Sequence, residues 1–414
     1  MQFSKELQEL ARRAEAELSG IFAELDDISF YNTNRVLDAF REHRVSDALF
    51  AGTSGYGYDD RGRDTLDRIW ADVFGAEAAL VRTQIVNGTQ ALTIGLFGLL
   101  RPGDVLLSVA GKPYDTLDEV IGNSGTPGNG SLRDFGVSYR QIDLKDGKLD
   151  LPSIREAISR EKVKVVFVQR SKGYLDRRTL TVSEIGELVK TVKEISPDSF
   201  VYVDNCYGEF TEKLEPTALG ADLCVGSLIK NAGGGMAETG GYLVGSARTV
   251  ELASYRLTSP GTGGEVGCTL GLNKSLYKGL FYAPHTTVQA LKTAHFAAYV
   301  FSALGYKTEP AWNERRSDII QCVYTGSAEG LCAVCRGIQA GSPVDAYVSP
   351  EPWGMPGYSD QVIMAAGNFT QGSSIELSAD GPLRAPYIAY LQGGLTFEAG
   401  KIGILSAAQE LMKF

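Results

Sequence analysis

Residues 225–245 read "VGSLIKNAGGGMAETGGYLVG". An apolar run leads to Lys230, a glycine-rich segment follows, and a second apolar run closes the stretch. The two runs read as short buried strands of one sheet. A solvated lysine needs no such setting. A Schiff-base lysine does, because its amine must be held at a strand end, partly out of water, where it can become neutral and nucleophilic. Glycines beside it let a flat ligand approach the backbone. Ser227, three residues earlier, offers a hydroxyl to an anion. Pyridoxal phosphate combines a carbonyl, a flat ring and a phosphate, and meets all three demands.

Working outward, "FVYVDNCYGEF" (residues 200–210) places Asp204 at the end of another buried run. A pyridinium nitrogen needs a nearby anion to stay protonated and act as an electron sink. Strand-end carboxylates of a parallel sheet lie where ligands bind. "IVNGTQAL" (residues 85–92) opens a helix at Asn87, a good N-cap. Gly88 and Thr89 there offer N–H groups and a hydroxyl to a phosphate. Tyr114, in "GKPYDTLDEV", is the candidate ring to stack on the pyridine. Each feature has an ordinary reading as well: an aspartate opening a turn, a capped helix, a tyrosine packed at a surface. Lys172 in "QRSKGY" (residues 169–174) is a rival Schiff-base lysine without the glycines, and that segment also follows a buried strand.

The same alternation extends from residue 65 to 245. "DVLLSV", "VKVVFVQR", "FVYVDN", "DLCVGSLI" and "GYLVG" read as strands, and "LDRIWADVFG", "NGTQALTIGLFGLL", "TLDEVIG" and "VSEIGELVKTVKEI" as helices. Continuous apolar strands between helices predict an α/β fold with a large, mostly parallel sheet. Residues 1–50 carry an apolar stripe at helical spacing (Leu7, Leu10, Ala14, Leu18, Ile21), an N-terminal helical arm that packs on its own chain or on a second subunit. Residues 51–285 form the large domain. Residues 286–414 begin with a long helix, "TTVQALKTAHFAAYVFSAL" (286–304), and continue as a smaller α+β domain containing "VIMAAGNF", "SSIELSA", "APYIAYLQGG" and a terminal helix.

Composition narrows the function classes. The net charge of −10 opposes binding to nucleic acid or to an anionic membrane. No apolar run is long enough to span a bilayer, and the mixed-charge N-terminus reads as no secretory signal, so a cytoplasmic protein is expected. Six cysteines make no disulfide framework, and Cys332-x-x-Cys335 has no second pair or nearby histidine for zinc, so no metal site is expected. Three histidines leave little for a serine triad. "GTGGEVG" (residues 261–267) misses the dinucleotide glycine spacing, and no phosphate-loop motif occurs.

The motifs "GYGYDDRGRDTL", "NGTQAL", "PYDTLDEVIG", "VDNCYGEF", "GSLIKNAGGG" and "LQGGLTF" occur in this order, and with them the sequence resembles the aluminium-resistance, or methionine γ-lyase-like, family of pyridoxal phosphate enzymes. The resemblance covers residue 25 to the end. It implies the fold type I architecture of the aspartate aminotransferase class, with a seven-stranded-type sheet and a homotetramer built from tight dimers whose sites are shared between subunits. It makes Lys230 the Schiff-base lysine, Asp204 the ring-nitrogen partner and Tyr114 the stacking ring. Gly88, Thr89 and Ser227 become phosphate ligands. By likeness to transsulfuration enzymes, a tyrosine and an arginine of "GYGYDDRGR" reach the neighbouring subunit's phosphate: Tyr58 and Arg63 are favoured over Tyr56 and Arg61. Those enzymes hold the substrate carboxylate with an arginine in a "V-R-L-S-V-G" strand, where this chain has "YIAYLQGGLTF". Arg384 is the nearest substitute. The activity implied is carbon–sulfur lysis of an amino acid such as cystathionine or methionine. An aldolase, an aminotransferase and a non-catalytic binding protein remain open at this point.

Overall fold

The computed structural model describes residues 3–355 and 360–413. The large domain is built on seven strands: β1 (Ala78–Arg82), β2 (Val105–Ser108), β3 (Ser138–Gln141), β4 (Val163–Gln169), β5 (Phe200–Asp204), β6 (Leu223–Ser227) and β7 (Gly241–Gly245). Their order is β1-β7-β6-β5-β4-β2-β3. Neighbours are parallel from β6 to β3, and β7 runs antiparallel to both β6 and β1. Strands β4 to β7 are buried almost throughout, which is why they read as unbroken apolar runs. The expected seven-stranded, mostly parallel sheet is present. The sequence reading passed over β1 and the exposed edge strand β3, both of five residues or fewer.

The helices are α1 (Lys5–Glu42), α2 (Arg61–Phe74), α3 (Gly88–Leu99), α4 (Asp115–Ile121), α5 (Leu151–Arg160), α6 (Val182–Ile195), α7 (Ala247–Leu257), α8 (Asn273–Ala303), α9 (Ala328–Gly341) and α10 (Phe397–Leu411). Cores lie on both faces of the large sheet. Trp70 and Phe74 of α2 pack with Tyr242 on one side, and Leu92 and Leu96 of α3 pack with Phe167 and Tyr202 on the other. Asn87 caps α3, its Oδ1 accepting from the Gln90 N–H at 2.8 Å.

The remaining strands are β8 (Lys307–Glu309), β9 (Gln321–Tyr324), β10 (Trp353–Gly354), β11 (Gln361–Ala365), β12 (Ser378–Pro382) and β13 (Ile388–Gln392). They form an antiparallel sheet in the order β10-β11-β12-β13-β9-β8, with α9 and α10 packed on one face. Two expectations shift here. The helix read from Thr286 starts at Asn273 and carries Pro284 within it. The stretch "SSIELSA", expected within this domain, enters a strand only at Ser378, and that strand runs on through Asp380, Gly381 and Pro382.

Helix α1 buries Leu7, Leu10, Ala14 and Leu18 in the C-terminal core of its own chain, and Val36 and Ala39 in the core of the large domain. Helix α8 runs beside it and likewise belongs to both cores, through Tyr277 and Leu280 at one end and Phe296 and Phe301 at the other. Cys332 and Cys335 lie one turn apart in α9, buried and unbridged. Among the described residues no cluster of histidine, cysteine or carboxylates is spaced to hold a metal, and no helix is long and apolar enough to cross a membrane.

Candidate active site

A chamber of about 480 Å³ opens at the carboxyl ends of β4, β5 and β6 and is walled on its other side by the C-terminal sheet. Seven of the residues singled out from the sequence line it: Gly88, Thr89, Tyr114, Asp204, Ser227, Lys230 and Arg384. This is the sheet edge where strand-end side chains converge on ligands in α/β folds.

Lys230 follows β6 by three residues and begins the short 3₁₀ turn Asn231–Gly233. Its Nζ lies 4.1 Å from the centre of the Tyr207 ring, a cation–π contact. Burial opposes its charge, but Cys206, Tyr207, Asp204 and Tyr114 around it outweigh burial and raise its pKa well above that of a free lysine. Tyr207 is held with φ +72°, and the Asn231 side chain donates to its carbonyl at 2.9 Å. The backbone beneath Lys230 is therefore tied to the loop after β5.

Asp204 ends β5 and is 4% exposed. Its Oδ1 accepts from the Cys206 N–H at 3.1 Å. Burial raises its carboxyl, against Lys230, Cys206 and Arg177, which favour the anion. The loop that follows is locked from behind by Arg170, which is fully buried. Its guanidinium donates to Asn205 Oδ1 (2.9 Å), the Gly208 carbonyl (2.8 Å) and Glu212 Oε1 (2.8 Å).

At the other end of the chamber the first-turn N–H groups of Gly88 and Thr89 have no intrahelical acceptor. The Thr89 hydroxyl is 2.7 Å from the Tyr114 hydroxyl and 3.1 Å from that of Thr116. Gln169, at the end of β4, accepts from the Tyr114 N–H at 2.9 Å and so fixes where that ring stands. Burial and the charge of Asp204 raise the Tyr114 phenol, which keeps it protonated and a donor.

These residues fit pyridoxal phosphate. A Cβ on Gly88 would sit 3.5 Å from Ser227 Cβ and 3.6 Å from Cys206 Sγ, so the missing side chain keeps open the gap between the α3 N-terminus and β6. That gap is lined by N–H and hydroxyl donors, as a phosphate requires. The buried carboxylate of Asp204 suits a protonated ring nitrogen. Gly88→Ala adopts no strained backbone and strengthens α3. The expected result is apoprotein with unchanged or slightly raised melting temperature and an affinity for pyridoxal phosphate about tenfold weaker, followed by absorbance titration.

Five residues named from the sequence stand elsewhere. Tyr56 and Tyr58 are exposed and stacked on each other, with ring centres 5.7 Å apart, outside the chamber of their own chain. Arg63, the arginine favoured from the sequence, lies within its own loop in this chain. It is 2% exposed, and its guanidinium donates to the carbonyls of Gly57, Gly267 and Glu265 and to Asp64. It braces its own loop, while Arg61 is the exposed arginine of the pair. Lys172 is buried apart from the chamber lining, with Nζ 3.5 Å from Cys322 Sγ and 3.8 Å from Glu309. Arg384 does line the chamber, at its exposed side, and pairs with Asp360 at 3.0 Å. Tyr207, Asp380 and Gln392 also line it and were not anticipated, although Tyr207 and Gln392 lie inside quoted motifs.

Comparison with known proteins agrees with this geometry. The family model described as methionine gamma-lyase matches residues 7–412. The chain is 53% identical to the uncharacterized protein YnbB of Bacillus subtilis, over 98% of this chain and 97% of that one. A candidate cystathionine beta-lyase involved in aluminium resistance from Clostridium acetobutylicum superposes with a TM-score of 0.96 at 48% identity, covering 99% of this chain and 96% of that one. A carbon-sulfur lyase involved in aluminium resistance from Clostridium novyi gives 0.95 at 51% identity, covering 98% and 96%. With a match across nearly its whole length, and with the fold and cofactor chamber in place, the chain belongs to the methionine gamma-lyase family of pyridoxal phosphate-dependent enzymes.

Proposed function

We propose that the protein is a carbon–sulfur lyase that eliminates the sulfur substituent of an amino acid. The observation that carries this reading is the convergence of Lys230, Asp204 and the α3 N-terminus on one chamber deep enough for cofactor and substrate together. Its likeness to the carbon-sulfur lyase of Clostridium novyi supports it. Pyridoxal phosphate, when bound, supplies the electron sink that makes the α-carbon of an amino acid acidic.

The chain's own residues do the rest. Lys230 would hold the cofactor covalently, and its free amine would serve as the base for the Cα proton. Asp204 holds positive charge on the ring nitrogen. Gly88, Thr89 and Ser227 hold the phosphate, and Thr89 orients Tyr114 through the 2.7 Å contact between their hydroxyls. Tyr114, kept protonated by burial, is the donor assigned to the departing sulfur. Arg384 exchanges its ion pair with Asp360 for a two-pronged grip on the substrate carboxylate. In the same reading the protein is a cytoplasmic homotetramer. The loop bearing Tyr56, Tyr58 and Arg61 completes the phosphate site of the neighbouring subunit.

The test is direct. Purified protein loaded with pyridoxal phosphate is incubated with cystathionine, methionine and cysteine in turn. A keto acid and a thiol as products uphold the lyase. Amino transfer that requires an added keto acid, or no turnover of any of them, overturns it.

A further inference from the structure

The chamber holds a second acidic side chain that the cofactor does not need. Asp380, on β12, faces it from the C-terminal sheet and is 7% exposed. Its Oδ2 accepts from Gln392 Nε2 on the adjacent strand β13 at 3.3 Å, while Oδ1 has no hydrogen-bond partner among the described residues. No lysine or arginine stands within ion-pair distance of it among those residues. Arg384, which shares the chamber, is paired with Asp360 instead. Burial pushes the Asp380 carboxyl up to about 7, with Tyr174, Gln392 and Lys230 pulling the other way.

A dry carboxylate met only by the neutral side chains of Gln392 and Tyr174, with no cation in ion-pair contact among the described residues, is destabilising by itself. The strand that holds it, "SADGP", is also poor in β-forming residues and yet lies between β11 and β13. Among the described residues Lys230 is the cation that acts on this carboxyl, and it does so from beyond ion-pair distance, so a close cation is left for the ligand to supply. The substrate's α-amine is a poor match. It has to shed a proton before it can react, and an adjoining buried anion would hold that proton in place. The fitting partner is a second ammonium, remote from the reacting carbon.

We propose that Asp380, oriented by Gln392, receives an ammonium group beyond the sulfur, so that the preferred substrate is a thioether diamino acid of the cystathionine type rather than methionine. This rests on the lyase reading for the identity of the reaction. A pocket built around a polar contact discriminates strongly against an analogue that lacks it, because the buried group is then left unpaired.

The experiment compares wild type, Asp380→Asn and Asp380→Glu, all loaded with pyridoxal phosphate. Asn is isosteric and removes a buried charge. Glu keeps the charge and tests for partial rescue. The expected result is a kcat/KM for cystathionine reduced about a hundredfold or more in Asp380→Asn, with methionine changed less than about threefold. Calorimetry gives the second readout. L-Lysine binds the wild type more tightly than the nearly isosteric L-norleucine, and Asp380→Asn abolishes the difference. If the wild type cleaves sulfur amino acids but the substitution slows cystathionine and methionine alike, or lysine binds no better than norleucine, Asp380 is no ammonium receptor while the lyase reading stands. If nothing is cleaved, the lyase reading falls and the lysine–norleucine difference decides on Asp380 alone.

Discussion

Lys230→Ala protein reconstituted with pyridoxal phosphate loses its yellow cofactor absorbance on dialysis, and its turnover of any sulfur amino acid falls at least about a thousandfold. Two roles disappear together. The side chain is the covalent anchor of the cofactor, and it is the base that reaches the α-carbon. No other amine can substitute, because Lys172 is committed to Cys322 and Glu309 on the far side of the chamber wall. Lys172→Ala is the matched control and leaves the spectrum intact. The fold survives Lys230→Ala, since the residue contributes a contact over Tyr207 rather than a place in either core. Absorbance and turnover that persist in Lys230→Ala, or vanish in Lys172→Ala, would exchange the roles of the two lysines.

The largest loss of stability is expected from Arg170→Met. Arg170 is fully buried and offsets Glu212 at 2.8 Å and Glu215 at 3.9 Å, both buried. Burial raises the Glu215 carboxyl and Arg170 opposes that rise, so without the guanidinium Glu215 is left dry and poorly compensated. Breaking one side of such a group costs about 3–5 kcal/mol. Denaturant unfolding of apoprotein measures it. Adding Glu215→Gln to Arg170→Met recovers part of the loss, because the stranded charge goes with the arginine, whereas Glu212 keeps its ion pair with Arg315 at 2.9 Å. Cofactor affinity falls along with stability, since the hydrogen bonds from Arg170 to Asn205 and Gly208 hold the loop between Asp204 and Tyr207. A variant within about 1 kcal/mol of wild type would show that the surrounding hydrogen bonds carry this loop unaided.

Much of the site was legible because it follows from strand ends. Asp204 closes one run of residues buried on both faces and Lys230 stands three residues beyond another, and such runs stand out in a sequence. Gly88 and Thr89 were visible because an Asn cap announces a helix start. What was missed depends on contacts distant in sequence. Arg63 and Arg61 are two residues apart in one turn, and the distant carbonyls of Glu265 and Gly267, together with Gly57 and Asp64, hold Arg63 inward. Asp380 was hidden because "ADGP" has the composition of a turn. It extends as a strand because a side chain on Gly381 would meet the Ile388 carbonyl oxygen at 2.4 Å, a clash that glycine avoids. The short strand β1 carries five residues, and its pairing partner β7 lies more than 150 positions further along the chain.

The pair α1 and α8 has a mechanical consequence. Each begins in one core and ends in the other, running side by side with Leu25, Val288 and Leu291 packed at mid-length. The two halves of the molecule are therefore splinted by a pair of long packed helices, one of them interrupted by Pro284, rather than joined by a slack tether. Swinging them apart would bend two helices or tear both cores, a much greater expense than flexing a loop. On the proposed function, substrate and product would pass the exposed rim where Arg384 and Asp360 meet, and the helices would hold the wall carrying Lys230 at a set distance from the wall carrying Asp380. A chamber of fixed span measures its ligands by length, and a molecule one methylene too short leaves one of its charged ends unmet.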